Sequence, residues 1–94
     1  MSNAVETLTL QKEAIPLLRS GLTMKTAALK FNQERYRERL RRFERQYDMD
    51  SATFAARFGQ GELGDDADWF EWEYNLDAYR QTQEQLRLLE QIEL

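Results

Sequence analysis

The sequence predicts a mostly α-helical fold: an antiparallel hairpin of two long helices, about 23–47 and 65–92, joined through a short helix and assembled as a dimeric bundle. Three observations predict it. With one proline and four glycines in 94 residues, the chain has too little punctuation for an all-β fold. Apolar residues recur at helical spacing through two long stretches. The stretch 59–74, GQGELGDDADWFEWEY, holds three of the four glycines and both tryptophans, so it breaks one helical pattern and starts another with a large apolar surface. A chain built this way folds back on itself.

Taken in order, Ser2-Asn3-Ala4 resembles the remnant an expression vector leaves after a start methionine. Residues 5–10, VETLTL, then alternate with period two. They read either as a short N-terminal strand, which must pair with the same strand of a second chain, or as a frayed terminus. Residues 11–20 form a short helix with Pro16 in its first turn, starting near Glu13 or Ala14, and Gly21 suits the left-handed position that ends it. Residues 1–21 are thus an arm and 22–94 the hairpin, in one domain.

Thr23 is the expected N-cap of the first long helix. Its apolar stripe runs Leu29, Tyr36, Leu40, Phe43, Tyr47, interrupted only by Gln33. After it, Asp50 or Ser51 caps a connector helix with Phe54, Ala55 and Phe58 on one face. Met49 is placed to pack on Phe54 as a hydrophobic staple, and Gly59 and Gly61 close the helix. The second long helix starts at Asp65 or Asp66. One stripe contains Trp69, Trp72, Leu76, Tyr79 and Leu86; a second, about 120° around the wheel, contains Phe70, Tyr74, Leu88 and Ile92. Two apolar faces need two packing partners. The tryptophan stripe is assigned to the hairpin, and Phe70, Tyr74, Leu88 and Ile92 are the candidate partner-binding residues.

Composition narrows the chemistry. The chain has neither cysteine nor histidine, which removes disulfides, the usual zinc sites and the imidazole-based nucleophile arrangements. Glu71 and Glu73 are the nearest thing to a catalytic carboxylate pair, but residues two apart point to different sides of a helix. Asp65, Asp66 and Asp68 read as first-turn acids at the positive end of a helix dipole rather than as ligands for a hard cation. No enzyme activity, cofactor or metal is therefore expected. Nor does any apolar run approach the roughly 18 residues of a membrane span, and the expected location is cytoplasmic.

Charge is segregated along the chain. Residues 30–45 carry seven bases and three acids, whereas residues 62–77 carry seven acids and no base. The plain reading is two solvated faces; the sharper one sets the two segments against each other or against a second copy. Arg35, Arg39 and Arg42 fall on one side of their helix. Pairing with the acidic segment is favoured for them over tracking phosphates.

Two family resemblances follow from these motifs. The run 47–54, YDMDSATF, followed by Arg57-Phe58, GELGDD at 61–66 and Glu71-Trp72, resembles the C-terminal half of small prokaryotic proteins of the antitoxin type. The likeness covers roughly residues 42–78, and the corresponding pattern in that group has glycine where Asp48 stands here. The N-terminal half is similar in layout to a ribbon-helix-helix unit: strand, helix, then GLTMKTAAL at 21–29 opening a second helix. These resemblances imply an interaction protein that binds a cognate toxin and, through Thr7, Thr9 and Gln11 of a paired arm, operator DNA. The alternative is a coiled-coil dimerisation module with no nucleic-acid role.

Overall fold

The computed structural model describes residues 4–94; Met1, Ser2 and Asn3, and with them most of the suspected vector remnant, lie outside the described residues. Among the described residues there are three α-helices and no strand: α1 (Ile15–Tyr47), α2 (Ser51–Gly59) and α3 (Ala67–Glu90). A single 3₁₀ turn, Lys12–Ala14, leads into α1. Residues 5–10 are exposed and without regular structure.

The first long helix differs from expectation at its start. Instead of a short helix ending at Gly21 and a second beginning at Thr23, α1 runs unbroken for 33 residues. Glycine inside a helix costs about 1 kcal/mol but blocks nothing, and no proline stands there to enforce a break. Thr23 does not cap. Its hydroxyl donates to the Arg19 carbonyl at 3.0 Å and that of Thr26 to the Leu22 carbonyl at 2.8 Å, so both are satisfied inside the helix. Pro16 sits in the first turn, where its missing N–H is harmless.

Both breaks that follow are made by left-handed residues. Asp48 adopts φ 49°, and the Met49 N–H returns to the Glu44 carbonyl. Asp50 then caps α2, accepting from the Thr53 N–H at 2.7 Å. Met49 packs against the core cluster that contains Phe54, in line with the expected staple. The end of α2 is a Schellman turn: Gly61 has φ 74°, its N–H reaches the Phe58 carbonyl and the Glu62 N–H reaches the Arg57 carbonyl. Gly59 is only the last helical residue. Asp66 caps α3 by accepting from the Asp68 N–H.

α1 and α3 pack as an antiparallel pair. The register is read from Tyr47 against Trp69 with ring centroids 4.6 Å apart, Phe43 against Trp72 at 5.5 Å, and Arg37 reaching the Tyr79 hydroxyl at 3.0 Å. At the open end Arg19 donates to the Leu94 carbonyl. The result is a rod of 55 × 30 × 17 Å, as expected of a 33-residue helix about 50 Å long.

The core lies at the closed end, where Leu40, Phe43, Phe54, Trp72 and Leu76 are buried together and Tyr47, Phe58, Leu63, Trp69 and Tyr79 pack around them. The tryptophan stripe therefore faces inward. Leu40 and Leu76 are each 6% exposed, so Leu40→Ala and Leu76→Ala should each lose about 2 to 5 kcal/mol in urea or thermal unfolding. Unchanged midpoints in both variants would place the core elsewhere.

Candidate functional site

The polar groups of the closed end decide how its surface is held. Trp72 is fully buried, and its Nε1–H donates to Ser51 Oγ at 3.0 Å. Ser51 in turn donates both its hydroxyl and its backbone N–H to Glu44 Oε2, each at 2.9 Å. Three elements are tied by this chain: α1 through Glu44, α2 through Ser51 and α3 through Trp72. Beside it the Tyr47 hydroxyl donates to Asp68, fixing the start of α3 to the end of α1. Among the described residues no buried polar side-chain atom lacks a partner. Sequence patterning identified Ser51 only as a potential cap and did not single out Asn75, which is 2% exposed and accepts from Arg39 at 3.3 Å. The available signal was Asn75's place three residues after Trp72, on the inward stripe.

The predicted partner-binding residues are all on the surface: Phe70 is 53%, Tyr74 67%, Leu88 51% and Ile92 46% exposed. They do not make one patch. Phe70 stands perpendicular to the Phe58 ring of α2 with centroids 5.5 Å apart, and with Tyr74 it borders a groove of about 470 Å³ between α2 and α3. Ala55 and Leu76 also line this groove, and Glu73, Asp77 and Arg80 supply its charge. Leu88 and Ile92 lie 14 residues or more further along, about 21 Å away, in a smaller apolar hollow of about 230 Å³ with Lys25 and Leu29 of α1.

The expected pairing of the basic and acidic segments is not what the hairpin makes. The ion pairs among the described residues are local: Glu34–Arg37, Arg57–Glu62 and Glu84–Arg87. The antiparallel register instead sets Arg37 opposite Tyr79 and Arg39 opposite Asn75, so the cross-helix partners are neutral. Arg39 turns partly inward over the Tyr36 ring, away from the exposed Arg35 and Arg42. Glu73 and Asp77 beside the groove are in none of these ion pairs, and Arg80 is the arginine that shares the groove with them.

Of the acids weighed as cation ligands, Asp66 caps α3 and Asp68 holds the Tyr47 hydroxyl. Among the described residues no group of three potential ligands is arranged to hold a metal ion. Thr7, Thr9 and Gln11 are exposed in the irregular N-terminal segment. No helix is long and apolar enough to cross a membrane. No protein-family model, no curated protein and no solved structure matches the chain.

Two measurements test this account of the closed end. Ser51→Ala should cost about 1 to 3 kcal/mol because it strands the Trp72 N–H, and the loss should shrink when Trp72→Phe is already present. The second concerns alkali. The Tyr47 hydroxyl is pushed up from 10 to about 12, first by its hydrogen bond to Asp68, then by burial and the nearby negative charge. A raised folded-state value favours folding below pH 10 and loses that contribution as pH climbs through about 12. Wild-type stability should therefore fall more steeply over that window than stability of Tyr47→Phe.

Proposed function

We propose that this chain is a non-enzymatic interaction protein of the antitoxin type, a cytoplasmic dimer that binds a cognate protein through the α2–α3 groove. The observation that supports this reading is the exposed pair Phe70 and Tyr74 standing over that groove beside the carboxylates of Glu73 and Asp77. Aromatic residues of this kind anchor protein interfaces, and charge at the rim sets orientation and encounter rate more than affinity. The partner chemistry that fits is a helix or extended segment with an aliphatic or aromatic anchor and neighbouring Lys or Arg. The bond from Trp72 to Ser51 ties α3 to α2, so the two helices that border the groove are joined before any partner arrives.

Operator DNA is a second ligand within this reading, approached by Thr7, Thr9 and Gln11 once two arms pair. Its support is the exposed period-two arm alone, and the arm offers no arginine or lysine among those three to read bases. Binding to the upstream DNA, measured at two salt concentrations, should weaken with salt if phosphate contacts are made.

The decisive experiment looks for a small open reading frame adjacent to the gene of this chain and co-expresses its product with the chain. That product should be toxic alone and neutralised by co-expression. Phe70→Ser with Tyr74→Ser should weaken the complex by about 100-fold and abolish neutralisation, with helix content preserved. A double variant that still neutralises, or a neighbour that is harmless alone, counts against the proposal. In that event the coiled-coil dimerisation module, without a nucleic-acid role, is the reading to take up.

A further inference from the structure

The N-terminal half of α1 has a second apolar face, directed away from α3. Leu17, Met24 and Phe31 are spaced by seven and are 75%, 71% and 64% exposed. Seven residues carry a straight helix nearly two turns, with a drift of about 20°, so the three lie in one row. Residues that face α3, such as Leu22, Leu29 and Leu40, are on the opposite side of the wheel and are half-buried or buried.

The row has a symmetry that the hairpin does not use. Around Met24, Leu17 and Phe31 stand seven residues to either side, and small residues (Ser20, Gly21, Ala27 and Ala28) stand three and four to either side. Eleven residues out, the row ends in opposite charges: Glu13 in the turn before α1 and Arg35 after Phe31. Arg35 lies over the Phe31 ring at 5.8 Å, and neither Glu13 nor Arg35 is in an ion pair among the described residues. A seam with an acid at one end, a base at the other and apolar groups between complements itself when turned end for end. Laid parallel on itself, it would set Glu13 against Glu13 and Arg35 against Arg35.

We propose that this outer face of α1 is the self-association surface of the chain. It pairs antiparallel with the same face of a second copy about a two-fold axis at Met24, with Glu13 of each chain beside Arg35 of the other. Leu17 then packs near Phe31 of the second copy, and the small residues flanking Met24 let the two helices approach closely. The assignment deepens the dimer of the preceding section by naming its face. It leaves the Phe70 and Tyr74 groove open, on another part of the rod, for a different protein.

Light scattering and sedimentation on the full chain test the face. The wild type should be dimeric at micromolar concentration. Met24→Glu should raise the dissociation constant about 100-fold or more, since it sets two carboxylates together on the axis, while circular dichroism stays unchanged because Met24 is exposed. Phe70→Ser with Tyr74→Ser should leave the dimer intact. Glu13→Arg and Arg35→Glu should each weaken it by about tenfold and largely restore it when combined.

Orientation is read by oxidative cross-linking, for which the chain is suited because it contains no native cysteine. Met24→Cys should link to itself. Leu17→Cys should not, its two copies being about 21 Å apart along the seam, but should link to Phe31→Cys in a mixture. A monomeric wild type, a dimer indifferent to Met24→Glu, or self-linking of Leu17→Cys as ready as that of Met24→Cys would overturn the proposal. Loss of dimer in Met24→Glu with partner capture retained, or the reverse in the Phe70 and Tyr74 variant, tells failure of one surface from failure of the other.

Discussion

The structure depends on what surrounds one indole. Trp72 stacks nearly parallel on Phe54 at 4.1 Å and on Phe43 at 5.5 Å, so a ring from α3 is shared by α2 and α1. An aromatic of this size contributes most of its stabilisation by leaving water, but its N–H must find an acceptor in the same place. Ser51 is that acceptor, and Glu44 completes the hydrogen bonding of Ser51. Packing and polar satisfaction thus converge on the same three helices. This is why a nine-residue helix, too short to persist alone, holds a defined position.

Away from this end the hairpin becomes progressively less apolar inside. Arg37 and Arg39 bridge to Tyr79 and Asn75 in the middle, and Thr82 satisfies itself on the Ala78 carbonyl while buried. Farther out, Leu29 is the buried apolar residue of α1. Stability is accordingly concentrated near the α1–α2 turn, and the open end is held by few contacts, among them the bond from Arg19 to the Leu94 carbonyl. Such a gradient favours local opening from the N-terminal side of α1. The same region carries the uncovered Leu17, Met24 and Phe31 row.

The distribution of charge follows from the register. With Arg37 and Arg39 spent on neutral partners in the seam, Arg35, Arg41, Arg42 and Arg45 and the acids Glu71, Glu73 and Asp77 are left on outward surfaces, where their fields extend into solvent. Two aromatic or apolar surfaces, one beside acids and one bounded by Glu13 and Arg35, are thereby offered on different parts of a narrow rod. A molecule only 17 Å thick in its shortest dimension has little interior in which to enclose a ligand.

By itself the sequence determined the helical class, the two long helices apart from the start of the first, a connector helix capped at Asp50 or Ser51 and closed by Gly59 and Gly61, and the inward direction of Trp69, Trp72, Leu76 and Tyr79. These were legible because periodicity and capping are local properties, carried by residues a turn or two apart. Gly21 and Thr23 misled because glycine weakens a helix without stopping it, and a threonine hydroxyl serves a preceding carbonyl as readily as a cap. What only the tertiary structure decided was the pairing between elements. It set Arg39 opposite Asn75 rather than a carboxylate, brought Ser51 under the Trp72 indole, and split Phe70 and Tyr74 from Leu88 and Ile92 by laying α2 against one pair and α1 near the other. Those outcomes rest on the register and the spatial placement of three helices, which contacts between residues far apart in the chain select and no single helix encodes.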